Sequence, residues 1–152
     1  MLGSRNGIKL KDKSIIEMKT ENINIELLNM IGDVKNKGDM RVWIEYGNGN
    51  INDKISILHT AGVLDDKLII NQNWKSFKKV MYPKIMGFKS IMISLISRYG
   101  NEKLGMNNKN RNELVRIINF SSLSSIIGSV GQINYSYSNS WLDSVSMITR
   151  NR

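Results

Sequence analysis

The chain contains no cysteine, and His59 is its single histidine. A disulfide framework, thiolate catalysis and a zinc or copper site built from Cys and His are thereby excluded. The lack of cysteine accords with a reducing compartment, and a cytoplasmic location is expected. Long apolar runs are also absent. No stretch approaches the roughly 18 residues that a bilayer span requires, and the opening MLGSRNG lacks the apolar core of a signal peptide. A membrane is therefore not an expected partner. Acidic side chains are scarce, 13 against 22 basic ones, which gives a net charge of +9 and favours an anionic partner. The lysines are nevertheless spread from Lys9 to Lys109, with Lys75, Lys78 and Lys79 as one tight group, and no zinc-finger, RNP or GXXG pattern accompanies them. Their charge reads as a solvated face, and nucleic acid is not expected as a partner.

At 152 residues, with 41% hydrophobic and 23% charged residues, the chain fits one globular domain. Isoleucine, asparagine and lysine are used heavily while alanine occurs only at position 61. Clusters of small residues that resist this bias are the informative ones. The run Ile23 to Leu28, continuing toward Ile31 and stopped at Gly32 and Asp33, reads as a buried strand. Met40 to Tyr46 fits a short helix or a strand, and positions 47–52 (GNGNIN) form a loop. Lys54 to His59 reads as a strand that breaks at Ala61 and Gly62. Trp74, Phe77, Val80 and Met81 share one helical face, taken as core, which Pro83 is expected to interrupt or kink. A second, buried helix is expected from Met86 to Ile96, and an exposed loop over 98–112. Leu114 to Phe120 reads as a strand closed by Ser121 and Ser122, and Asn134 to Met147 as a helix. Alternating strands and helices predict an α/β fold with a parallel sheet, whose carboxyl edge is the usual ligand site.

Ser122 lies at such an edge, and Tyr135 and Asn139, four residues apart, share one face of the helix that follows. A hydroxyl, a phenol and an amide converging there would polarise a carbonyl and supply a proton. A phenol works as an acid or base near neutrality only if a neighbouring ammonium favours its charged form, so the site also needs a lysine.

The strings HTAGVLDD (His59 to Asp66), YPKIMG (Tyr82 to Gly87) and FSSLSSIIGSVGQINYSYSNSWLDS (Phe120 to Ser144) occur in that order. Together they resemble the ketoreductase domain of modular polyketide synthases, an NADPH-dependent branch of the short-chain dehydrogenase/reductase family. The likeness runs from Gly3 to the end of the chain. In that family the position four after the tyrosine is Asn and the lysine comes from a PKxxG segment; Asn139 and Lys84 match both halves of this arrangement. The resemblance implies Tyr135 as proton donor, Ser122 as hydrogen-bond donor to the ketone, and Lys84 with Asn139 as electrostatic and proton-relay support. It also implies Ser4 and Arg5 at the NADPH 2′-phosphate, Asp33 and Val34 at the adenine, and Ala61 and Gly62 at a close backbone approach to the cofactor. A guanidinium suits a phosphate dianion through paired hydrogen bonds. Leu64, Asp65 and Asp66 match the LDD motif of the subtype that forms the D-alcohol, and Ile127 stands where the opposite subtype carries tryptophan.

The fold so implied is a Rossmann-like, doubly wound parallel sheet, truncated at both ends, with the first strand and the Gly-rich pyrophosphate turn missing. Residues 1–152 then form a partial ketoreductase domain, with 98–112 as an inserted surface loop. The implied activity is reduction of a β-ketoacyl thioester, carried by an acyl carrier protein, to a D-3-hydroxyacyl thioester. It would take place within a polyketide or fatty acid synthase whose other domains share the polypeptide, and the isolated fragment is expected to be inactive. Two alternatives stay open: a non-catalytic structural remnant of such a domain, and a basic nucleic-acid-binding module.

Overall fold

The computed structural model describes residues 2–4, 29–47, 54–103 and 115–150. Among the described residues are four strands: β1 (Leu2–Ser4), β2 (Asn29–Ile31), β3 (Ile55–His59) and β4 (Val115–Asn119). They form two parallel pairs, β1 with β2 and β3 with β4. In the second pair Ile55 stands opposite Val115 and His59 opposite Asn119, so both carboxyl ends finish side by side. Of the expected strand from Ile23, only its end at Asn29–Ile31 falls among the described residues.

Helix α1 (Lys37–Gly47) settles the ambiguous segment as helical. Asn36 caps it, its Oδ1 accepting from the Gly38 N–H at 2.8 Å and its carbonyl from Met40 at 3.0 Å. Met40 and Ile44, one turn apart, are its buried positions. Helix α2 (Trp74–Lys103) is opened by Asn73, which caps Ser76 at 2.9 Å through Oδ1. Two short helices' worth of sequence thus form one element, and the expected interruption at Pro83 does not occur. Proline removes one ladder bond, but Val80 and Ile85 on either side are buried at 0% and 5% exposure, and this packing holds the helix continuous. The non-helical residue inside α2 is Gly100, at φ 69°. The helix is kinked there, with helical residues on either side as far as Lys103, so the segment expected as a loop from position 98 begins helical at Arg98 and Tyr99; Tyr99 is buried, and 104–112 lie outside the described residues. Helices α3 (Ser124–Ile127) and α4 (Ile133–Arg150) complete the order.

Met40, Ile44, Ile91, Leu95 and Tyr99 form the core between α1 and α2. Ile57, Val115 and Ile117 pack on it from one face of the β3·β4 pair, while Leu58 and Ile118 on the opposite face are exposed. This is the period-two alternation of a strand with one covered side. Helix α4 docks along α2 through fully buried Leu142 and an edge contact of Trp141 on Phe88, centroids 5.9 Å apart. Trp74, read as core, is 62% exposed instead; it stacks on Phe77 at the open end of α2, where Lys78 lies 5.2 Å over its ring. No helix among the described residues is long and apolar enough to cross a membrane.

Candidate active site

The parallel pairing of β3 and β4 delivers two chain segments, 60–66 and 120–123, to one edge. Lys84 reaches this edge from α2. Its side chain is turned inward, 4% exposed, with Nζ donating to the Phe120 carbonyl at 2.9 Å and lying 5.5 Å from the Tyr135 ring centroid. Gly62 lies against the lysine stem: a Cβ there would make an ordinary contact, 3.5 Å from Lys84 Cε. Burial lowers the pKa of Lys84, and the nearby Asp143 carboxylate opposes that shift.

Tyr135 sits in the first turn of α4, which Gln132 opens by accepting the Ser136 N–H at 2.7 Å. Asn139, one turn on, is fully buried and donates through Nδ2 to the Tyr135 carbonyl at 2.9 Å. Its Oδ1 is buried with no hydrogen-bond partner among the described residues, an acceptor left open beside the tyrosine. Ser122 is held in a serine turn: its Oγ accepts from Ser124 N at 3.3 Å and from Ser124 Oγ at 3.1 Å. With both acceptor positions used, its own hydroxyl proton remains to be donated outward.

The structure therefore brings Lys84 together with Tyr135, Gly62 and the residue chain just before Ser122. The cofactor-side candidates are more dispersed. Asp33 turns its carboxylate onto Lys35, accepting from the backbone N–H at 3.1 Å and pairing with Nζ at 3.2 Å. Val34 packs toward α2, its Cγ1 being 3.0 Å from where a Cβ on Gly87 would stand. Ala61 is half-buried next to Gly62. Ser4 is the last residue of β1, and Arg5 lies outside the described residues. A cleft lined by Lys35, Val63, Lys78, Lys79, Tyr82 and Pro83 adjoins Val34 and Gly62 in sequence.

The LDD segment is latched to the start of α4. The Asp65 carbonyl accepts from Asn134 Nδ2 at 3.0 Å, Asp66 Oδ2 from Gln132 Nε2 at 2.8 Å, and the Gly131 carbonyl from the Lys67 N–H at 2.8 Å. Gly131 has φ 77°, a conformation that glycine adopts without strain. The Asp65 carboxylate accepts from Ser76 Oγ at 2.7 Å and lies 3.7 Å from both Lys67 and Lys79. The Ser76 hydrogen bond, aided by these two lysines, lowers its pKa.

Sequence reasoning missed Asn134, Gln132, Ser125 and Asp143. Ser125 Oγ bridges the Ser122 carbonyl at 2.7 Å and Asp143 Oδ2 at 2.6 Å, tying the serine turn to α4. The spacing Tyr135, Asn139, Asp143 places all three on one helical face and was the available signal.

The KR domain family model matches residues 1–152. The reducing polyketide synthase grgA of Penicillium sp is 33% identical over 89 residues, 59% of this chain and 3% of that protein. The polyketide synthase PksN of Bacillus subtilis (strain 168) is 29% identical over 119 residues, 78% of this chain and 2% of that protein. Among solved structures, the first ketoreductase of the tylosin polyketide synthase aligns with TM-score 0.68 and 22% identity, over 95% of this chain and 28% of that one. An N-terminal ketoreductase from the macrolactin assembly line aligns with TM-score 0.70 and 21% identity, over 99% and 28%. A short-chain dehydrogenase from Mycobacterium avium gives 0.69 and 22%, over 90% and 45%. These likenesses establish a shared Rossmann-like α/β fold. With a family match across all its residues, the chain belongs to the KR domain family.

Proposed function

We propose that the chain forms the catalytic part of an NADPH-dependent ketoreductase in a polyketide synthase, reducing a β-ketoacyl thioester on an acyl carrier protein to the D-3-hydroxyacyl thioester. The carrying observation is the inward Lys84, which comes from a different helix than Tyr135 and Asn139 yet has its ammonium 5.5 Å from the Tyr135 ring. A reduced nicotinamide, when bound, supplies the hydride. Ser122, its acceptor positions occupied by Ser124, donates its hydroxyl proton to the ketone oxygen. Tyr135 delivers the proton that turns the developing alkoxide into an alcohol, and Lys84 stabilises the negative charge left on the phenol oxygen. Asn139, through its open Oδ1, serves the proton relay that restores the tyrosine.

The residues present suit a phosphate-bearing nicotinamide cofactor. Gly62 lies beside the Lys84 stem at the carboxyl edge of β3, and Lys35, Lys78 and Lys79 line the adjoining cleft. Ser4, Arg5, Asp33, Val34, Ala61 and Gly62 are its proposed contacts. The pinned LDD segment supports the D-alcohol by fixing one wall of the site against α4.

The test follows NADPH absorbance with a β-ketoacyl thioester, in the 152-residue chain and in the longer synthase polypeptide that the proposal implies. Oxidation of NADPH with a D-3-hydroxyacyl product in the longer polypeptide is expected. Unchanged absorbance from a folded longer polypeptide overturns the catalytic reading and leaves a structural role.

A further inference from the structure

Three hydrogen bonds close a ring beneath the site. His59 Nε2 lies 3.0 Å from the Lys84 carbonyl, Lys84 Nζ donates to the Phe120 carbonyl at 2.9 Å, and the Phe120 N–H donates to the His59 carbonyl at 3.1 Å. Each residue touches the other two, and the ring joins the end of β3, the middle of α2 and the residue after β4. Since a carbonyl only accepts, the His59 proton resides on Nε2 in this contact.

The position on α2 explains why an outside clamp is useful. Pro83 has no N–H to give the Lys79 carbonyl, so the helix lacks one of its own ladder bonds at the turn that carries Lys84. Gly87 seats the imidazole three residues further on: a Cβ there would stand 2.9 Å from His59 Cε1. The ring is 3% exposed, and burial lowers its pKa, which keeps it a neutral donor beside the Lys84 charge.

We infer that His59 is a positioning residue: by holding the Lys84 carbonyl it fixes the turn of α2 that aims the Lys84 ammonium at Phe120 and Tyr135. Its catalytic consequence rests on the ketoreductase reading; its geometric content does not.

His59→Phe keeps the ring over Gly87 and removes the hydrogen bond, whereas His59→Gln retains a donor in the place of Nε2. The direct readout is the titration of Lys84 by NMR of side-chain-labelled lysine, assigned by the signal lost in Lys84→Met. Asp143 is the carboxylate that acts on this ammonium and is unchanged in both variants. In His59→Phe the Lys84 titration is expected to move up toward the ordinary lysine value of 10.5, as the ammonium regains water, while His59→Gln stays near the parent. In the synthase polypeptide, His59→Phe is expected to lower kcat about tenfold with KM within about twofold, as loss of an interaction made in the transition state does. An unmoved Lys84 titration in folded His59→Phe overturns the inference, even if Tyr135→Phe is inactive. A moved titration without any reductase turnover sustains the positioning role and overturns the reductase reading instead. Should His59→Phe fail to fold, Gly87→Ala displaces the ring from the other side and is expected to move Lys84 likewise. If that variant is also unfolded, His59 is a folding residue and the inference falls.

Discussion

The Lys84 ammonium and the Phe120 carbonyl meet at 2.9 Å from positions 36 residues apart. One bond thus joins the buried turn of α2 to the segment that presents Ser122. A long amine on an interior helical face is costly to bury unless it is bonded, and here the strand end supplies the acceptor.

Tyr135→Phe keeps the ring that faces Lys84 and removes only the phenol oxygen. Reduction by the synthase polypeptide is expected to fall at least about a hundredfold, with the melting temperature nearly unchanged. Turnover near the parent value would exclude Tyr135 as the proton donor.

Lys84→Met separates charge from bulk. Because burial lowers the Lys84 pKa, the unfolded chain binds the extra proton over the window from that lowered value up to the ordinary 10.5. Stability contributed by this group therefore rises with pH across that window. The parent is expected to gain stability relative to Lys84→Met as pH climbs through it, measured by urea midpoints of the two proteins. A constant difference would mean that the ammonium is solvated.

Asn134 is fully buried, donating to the Asp65 carbonyl and accepting from the Tyr135 N–H at 2.8 Å. Asn134→Ala strands both groups, so a loss of about 2 kcal/mol is expected. This corresponds to a fall in Tm of about 4–8 °C in a domain of this size. A neutral substitution would show that the LDD segment is not held by this latch.

Ser76→Ala tests the carboxylate of Asp65. Its folded pKa is lowered, first by Ser76, so its contribution is present above the unfolded value near 3.8 and is lost as pH falls through the folded one. The variant is expected to show less of this acid-range loss than the parent in thermal melts between neutral and acid pH. Equal slopes would place the stabilisation in Lys67 and Lys79 instead.

Strands β3 and β4 and helix α4 were legible because their signals are local: β-branched runs ending at small residues, and apolar spacing after a glycine-rich turn. The site residues were legible only in combination, since Lys84 alone is one of many lysines and Asn139 one of many asparagines. Pro83 misled because the rule for proline weighs a single lost ladder bond, whereas Val80, Ile85 and Phe88 bury the same stretch. Trp74 misled in the other direction, its helical face continuing past the point where a neighbour covers it. The Ser125 to Asp143 bridge depends on how the serine turn meets α4, a relation between distant segments that no periodicity carries.

Every strand pairing described here is parallel, so none can close through a tight hairpin. Leu2 must wait for Asn29, and Ile55 for Val115, before either ladder can zip. Refolding from denaturant should accordingly be slow and limited by the search for these distant partners, with α2 offering the early surface onto which the β3·β4 ribbon later settles.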